Sequence, residues 1–201
     1  KGINIAIHED PKVYRNVVSF IKSDHLSEGA LVTTHKIDLY NAAKDLFEYS
    51  DSYATELGEL SSISKKNGLL CAHAKDPISS GLAMEHFLPD DYWKQGGDLM
   101  IMGAGGSAIS MGAYIMNPNR IAHRPKRIII TNRSIPRLRE IERIYRRLAK
   151  ASNCTSELVF YLAPEPQAND KILALCDPFS LVVNATGLGK DRPGSPITDN
   201  A

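Results

Sequence analysis

The sequence predicts an α/β protein of two domains, the second of them built on a parallel sheet. Three observations carry this. Apolar runs of strand length alternate with amphipathic stretches of helical length along most of the 201 residues. The segment PDDYWKQGG (89–97), with its Pro, two Asp and two Gly, interrupts the alternation and reads as a linker. Beyond it an apolar run, 99–102, leads straight into Gly103-Ala104-Gly105-Gly106-Ser107-Ala108 and then into a second apolar segment. That is the order of a strand, a tight turn and a helix. The expected boundaries are 1–88 for the first domain, 89–97 for the linker and 98–201 for the second domain.

Within the first domain, GINIAI (2–7) predicts a strand and PKVYRNVVSFIKS (11–23) a helix with Val13, Val17, Phe20 and Ile21 on one face. GALVT (29–33) is the next strand. IDLYNAAKDLFEY (37–49) is the next helix, with Ile37, Tyr40, Ala43 and Phe47 inward. Two short extended segments follow at 61–65 and 69–73, and Pro77 precedes a helix over 79–88. In the second domain the period is regular, with strands at 98–102, 127–132, 157–162 and 180–185. Helices fall at 106–116, 136–149 and 167–176. Pro136 suits a first helical turn, and Leu138, Ile141, Tyr145 and Leu148 form the buried stripe behind it. Strands separated by helices of this length pair in parallel through right-handed crossovers.

The composition bounds the function. Charged residues are 23% and hydrophobic ones 43%, an ordinary soluble globular mixture with ample length for a core. The net charge is only +1, yet 120–150 holds eleven Lys and Arg against Glu140 and Glu142. Tyr145 is the only aromatic in that stretch, so nucleic acid is not an expected partner. Cys71, Cys154 and Cys176 are widely spaced, odd in number and set in apolar sequence. They read as buried thiols rather than a disulfide frame or a metal site. No run reaches the length of a membrane span, and Lys1 opens no signal peptide, so the expected setting is cytoplasmic, with no membrane partner. A chain opening without Met reads as a fragment. A homodimer is left open.

The glycine-rich run carries the chemistry. It follows the G-x-G-x-x-G/A pattern at a strand-to-helix turn: Gly103 permits the turn, Gly105 lets a pyrophosphate approach the backbone, and Ala108 lets the helix pack on the sheet. The helix N-terminus adds free N–H groups and partial positive charge. A tight glycine turn alone occurs in any α/β domain. The second strand is more telling, since an NAD site normally ends it in Asp or Glu, and neither occurs between Leu99 and Arg139. The strand ends instead in Thr131-Asn132-Arg133-Ser134, with Arg137 behind. Guanidinium forks suit a 2′-phosphate, so the pairing points to NADP and a Rossmann-type dinucleotide-binding domain. A solvated basic helix surface accounts for Arg139, Arg143, Arg146 and Arg147, but explains Arg133 less well.

Taken in order along the chain, these segments resemble the shikimate/quinate dehydrogenase family. Gly29-Ala-Leu-Val32-Thr33-Thr34-His35-Lys36 is similar to the family's Gly-x-Asn-Val-Thr-x-Pro-His-Lys run. Gly58-Glu-Leu-Ser61-Ser62 is similar to Gly-Ala-Val-Asn-Thr, and Ala74-Lys75-Asp76-Pro77 to Asn-Thr-Asp-Gly. GAGGSA (103–108), TNRSIPR (131–137) and VVNATGLG (182–189) match better and stand in family order. The resemblance implies an N-terminal substrate domain and a role in aromatic amino acid biosynthesis. It also implies a Lys36–Asp76 pair beside the carbon that exchanges hydride with NADP. It assigns the cofactor to Gly103, Ala104, Gly105, Gly106, Ser107, Asn132, Arg133, Ser134, Arg137, Asn184, Ala185 and Thr186, and the substrate to Thr33 and Ser61.

The chemistry agrees with those residue types. Reducing a ketone leaves an oxygen that needs a proton, and oxidising the alcohol needs it removed. Taken alone, Lys36 reads as an exposed lysine in a first helical turn, His35 as structural and Thr33 or Thr34 as strand formers. There are departures too. A Pro is missing before His35, the family's substrate-binding Asn is Ser61, and its Asn and Thr before Asp76 are Ala74 and Lys75. Lys75 reads equally as a surface lysine or as a contact for an anionic substrate group. The family's leading Ser-x-Ser segment and closing Gln segment would lie outside 1–201. Three functions therefore stand: an NADP-dependent dehydrogenase of shikimate/3-dehydroshikimate, a relative acting on quinate or another small hydroxy or keto acid, and a non-catalytic NADP-binding regulator. The last has no use for a Lys36–Asp76 proton relay.

Overall fold

The computed structural model describes residues 2–5, 10–119, 123–189 and 193–201. The chain divides into two compact units, Lys1–Asp76 and Pro77–Ala201, both α/β. No helix among the described residues is long and apolar enough to cross a membrane.

In the first unit, α1 (Pro11–Ser23) starts where the Asp10 carboxylate accepts from the Lys12 N–H at 2.8 Å, with Pro11 in the first turn. It buries Tyr14, Val18 and Ile21, while Phe20, expected on the inner face, is exposed. The stripe rotates because Tyr14 can go inside: its hydroxyl lies 3.4 Å from His35 Nδ1, so the polar end has a partner. The segment predicted as a strand over 2–7 carries no strand at 2–5, and residues 6 and 7 lie outside the described set.

β1 (Gly29–Leu31) is followed by α2 (Lys36–Ala43), which gives way to a 3-10 turn, Lys44–Leu46, well short of the predicted 49. Two elements that the sequence reading missed come next, β2 (Tyr49–Ser50) and α3 (Ser52–Leu57). Asp51 caps α3 by accepting from the Ala54 N–H, and Gly58 closes it in the left-handed region. β3 (Ser62–Lys66) and β4 (Leu69–His73) form a hairpin across Asn67 and Gly68, both with positive φ as a two-residue turn requires. The sheet order is β1-β3-β4-β2, with β2 parallel to β4 and the other pairs antiparallel. Tyr14, Val18, Leu39, Leu60 and Leu70 are among its core.

The second unit opens with the body of α4 (Asp76–Phe87), a helix beginning three residues before its predicted start and holding Pro77 in its first turn. The sequence reading ended the first domain at 88. The compact units part after Asp76, and in the second of them Gly81 of α4 lies against the Tyr114 ring, where an added Cβ would sit 2.1 Å from Tyr114 Cδ2. The 89–97 stretch contains a 3-10 turn, Tyr92–Gln95, that buries Trp93.

Then come β5 (Leu99–Met102), α5 (Gly106–Met116), β6 (Arg127–Asn132), α6 (Ile135–Ala151), β7 (Glu157–Leu162), α7 (Pro166–Leu173) and β8 (Leu181–Asn184). All four strands are parallel, in the order β7-β6-β5-β8. Continuous apolar runs such as Leu99-Met-Ile-Met102 follow from burial on both faces of a parallel sheet. Gly112 lets α5 meet α6, since a Cβ there would fall 2.1 Å from the Tyr145 ring. At the start of the strands the fully buried Asp98 takes the Arg127 fork, Nε to Oδ1 at 2.9 Å and Nη2 to Oδ2 at 2.6 Å, plus the Asp177 N–H at 2.8 Å. Burial alone would raise that carboxyl, but these donors hold it below the usual carboxylate range.

Candidate functional site

β1 runs out at Leu31, and the backbone reverses at His35, whose φ of 58° is uncommon for a residue with a Cβ. The contact with Tyr14 secures that turn. Lys36 thereby becomes the first residue of α2, and Asp76 is the first residue of α4. The structure joins them: Lys36 Nζ donates to Asp76 Oδ2 in an ion pair, the side chains 20% and 29% exposed. Such a pair is open enough for a small molecule to reach and ordered enough to present a proton at one place.

A third ionisable group stands beside them, and the sequence reading did not single it out. Glu59 is 1% exposed, and its Oε1 has no hydrogen-bond partner among the described residues. The next residue ties this segment to the site, the Leu60 N–H donating to the Lys36 carbonyl at 3.3 Å. Burial first, and then the charge of Asp76, push the Glu59 carboxyl up to about 7, with Lys36 acting in the opposite sense. One signal could have found it: Glu59 stands where the resembling Gly-Ala-Val-Asn-Thr run has Ala.

The remaining first-unit candidates are placed as follows. Thr33 and Thr34 are exposed in the loop before Lys36. Ser61 is buried, its hydroxyl accepting from the Lys75 N–H at 2.8 Å and donating to the His73 carbonyl at 3.5 Å, so it holds the chain ahead of Asp76. Lys75 Nζ lies 3.2 Å from Asp51 Oδ2, so its charge is matched within the unit.

In the second unit the cofactor candidates gather at the carboxyl ends of β5, β6 and β8, where ligands bind in open parallel sheets. Gly103 has φ 115°, and a Cβ there would lie 2.5 Å from the Ala185 carbonyl oxygen, so only glycine fits. Its N–H donates to the Thr131 carbonyl at 2.8 Å, and the Ala185 N–H to the Met102 carbonyl at 2.8 Å, which fixes the turn between both neighbouring strands. Ala104 is buried beneath the turn, while Gly105 and Ser107 are exposed. Nothing lies within 4 Å of a Cβ built on Gly105, leaving room for a group against the backbone. The first N–H groups of α5, at Gly106, Ser107 and Ala108, precede its first intrahelical bond, from Ile109 to Gly105 at 3.1 Å. These residues fit a dinucleotide pyrophosphate.

At the end of β6, Asn132 Nδ2 donates to the Ser134 carbonyl at 3.1 Å and shapes the turn. Arg133 is exposed and has no ion-pair partner among the described residues, whereas Arg137 meets Glu140 at 3.0 Å. After β8, Asn184 Oδ1 accepts from the Thr186 N–H at 3.0 Å and hydroxyl at 2.7 Å, so Asn184, Ala185 and Thr186 form a closed turn against Gly103. No cluster suited to a metal ion occurs among the described residues.

No protein-family model and no curated protein matches the sequence. Solved structures do. A quinate dehydrogenase from Corynebacterium glutamicum in complex with NAD is 17% identical with a TM-score of 0.65, over 98% of this chain and 61% of its own. A shikimate dehydrogenase in complex with NADP+ is 21% identical with a TM-score of 0.62, over 90% and 55%. The ligand-free 5-ketofructose reductase of a Gluconobacter strain is 17% identical with a TM-score of 0.60, over 90% and 56%. This chain thus spans 55–61% of the length of those proteins. At these identities the likeness is one of fold: a mixed first sheet and an all-parallel second one, the architecture of NAD(P)-dependent dehydrogenases of the shikimate and quinate type.

Proposed function

We propose that the chain is an NADP(H)-dependent oxidoreductase moving a hydride between cofactor and a hydroxylated cyclic acid, shikimate/3-dehydroshikimate foremost and quinate next. The observation that carries this reading is the Lys36–Asp76 ion pair, in a chain whose second unit bears a Gly103–Ser107 turn and an Arg133 without an ion-pair partner among the described residues. When bound, the cofactor supplies or accepts the hydride. Lys36 gives the proton to the oxygen of the ketone or takes it from the alcohol, and Asp76 holds the amine in place. The turn and the start of α5 receive the pyrophosphate, and Arg133 with Arg137 receives the 2′-phosphate.

A second reading keeps the cofactor and the Lys36–Asp76 pair but takes another small hydroxy or keto compound. What favours it is the first unit's own wiring: Ser61 is held by main-chain groups and Lys75 by Asp51, so neither offers the family's polar contact. Turnover of the full chain with NADP and with NAD decides among shikimate, quinate and 5-ketofructose, followed by nicotinamide absorbance. The expected result is NADP-linked turnover of a cyclic acid that is lost in Lys36→Ala. Tight NADP binding without turnover of any of the three would favour the regulator instead.

A further inference from the structure

We propose that Glu59 is a positioning residue of the Lys36–Asp76 centre, a buried acid that binds and releases a proton of its own and by its charge sets how firmly the Lys36 amine keeps its proton. Its effect on catalysis rests on the reading that Lys36 carries the proton; its own titration does not.

Placement is the first support. Glu59 lies between α3 and β3, and the hydrogen bond from Leu60 N–H to the Lys36 carbonyl holds its segment against the start of α2. The second is a buried carboxylate oxygen with no partner among the described residues. A carboxylate that served only the fold would be surrounded by donors, as Asp98 is by Arg127 and the Asp177 N–H. Glu59 has an oxygen that is sealed from solvent and unpaired among the described residues. An ionised carboxylate is costly there, and a protonated one much less so. The third is the identity of its charged neighbours. Those acting on it are Asp76, at the start of α4, and Lys36, at the start of α2.

Coupling between titrating groups is mutual. If Asp76 and Lys36 alter the proton affinity of Glu59, Glu59 alters theirs by the same amount. A protonated Glu59 adds no charge beside the ion pair. An ionised Glu59 adds a second negative charge beside the amine, and Lys36 then keeps its proton to higher pH. The free amine that would take a proton from an alcohol accordingly appears later on the pH scale than it would for the pair alone.

The experiment has two arms on the full chain. Infrared difference spectra of protein labelled with 13C-glutamate report Glu59 directly and need no substrate. Wild type should show a buried carboxylic acid losing its proton near neutral pH, a band missing from Glu59→Gln. The midpoint should fall in Asp76→Asn and rise in Lys36→Met. Titration in the ordinary carboxylate range, or a midpoint indifferent to both neighbours, overturns the proposal.

The second arm is the pH dependence of kcat/KM for alcohol oxidation. Glu59→Gln should move the limb that reports Lys36 deprotonation toward lower pH, with KM for the cofactor unchanged. A superimposable profile overturns the positioning role. Should Glu59→Gln fail to fold, Glu59→Ala serves in both arms, and the Asp76→Asn and Lys36→Met shifts still read Glu59 itself. Turnover with an unresponsive Glu59 sinks this inference alone. A responsive Glu59 without turnover of any substrate sinks the functional reading and leaves the coupling intact.

Discussion

Arg133 is the side chain on which the choice of cofactor turns. It is exposed and without an ion-pair partner among the described residues, at the end of the strand where NAD sites place a carboxylate. A charge-assisted contact to a phosphate is worth ~1.5–3 kcal/mol, so Arg133→Ala should weaken NADP binding by at least about tenfold and leave NAD nearly unchanged. Equal loss for both in a titration, or none for NADP, would remove the phosphate clamp. Lys36→Ala should lower turnover by ~10²–10⁴ while NADP affinity holds, and near wild-type kinetics would take Lys36 out of the mechanism. Both residues are candidates because they stand in ordered motifs of the sequence. Glu59 was not legible there, since a lone glutamate means nothing until its burial is known. Its carboxyl rises from 4.5 in the open chain to about 7 when folded. The folded state therefore holds more protons than the unfolded one between those values, and stability falls as pH rises through them, by about 3 kcal/mol in all. Glu59→Gln is free of that loss. Urea unfolding at pH 5 and pH 8 should show the variant gaining on wild type at the higher pH, and a constant difference would contradict it.

At the scale of elements, long periodic segments were legible and short ones were not. The second-unit helices and strands lie close to where their periodicity put them, and in the central strands β5 and β6 burial on both faces of a parallel sheet demands unbroken apolar runs. The helix expected over 37–49 ends at Ala43 because a tertiary pairing overrides its pattern. The Glu48 N–H donates to the Leu70 carbonyl at 3.0 Å, and its carboxylate accepts from the Leu70 N–H at 2.8 Å, which requires extended backbone. The two glycines of the phosphate turn separate folding from binding. Gly103→Ala forces a Cβ to 2.5 Å from the Ala185 carbonyl at a φ of 115°, so it should destabilise the fold by ~1–3 kcal/mol and abolish NADP binding. Gly105→Ala meets open space at a φ of −95° and should fold like wild type, yet bind NADP poorly because the methyl occupies the approach to the backbone. Unfolding curves paired with NADP titrations check both, and normal binding in Gly105→Ala would move the pyrophosphate elsewhere.

Over the whole molecule, the α/β class and the all-parallel second sheet were legible because alternation of strand and helix implies them. The mixed first sheet was not, since β2 pairs parallel to β4 through only two residues, Tyr49 and Ser50. Within the second unit Gly81 of α4 meets Tyr114 of α5, a contact remote in sequence that no periodicity announces. Each unit carries core residues of its own, and the chain's single tryptophan, Trp93, is buried within the second. Tryptophan fluorescence therefore reports unfolding of the unit that holds the glycine-rich turn. A ligand that binds only the folded state stabilises it by about 2.7 kcal/mol when its free concentration is about a hundred times Kd, which raises a midpoint by several degrees. NADP at that level should raise the Trp93 transition in wild type and in Lys36→Ala alike, because Lys36 belongs to the first unit. It should raise it far less in Arg133→Ala, while an equivalent excess of NAD acts on all three proteins equally. A Trp93 midpoint that ignores both nucleotides would show that the Gly103–Ser107 turn does not hold a dinucleotide, and would remove the cofactor on which the proposed hydride transfer depends.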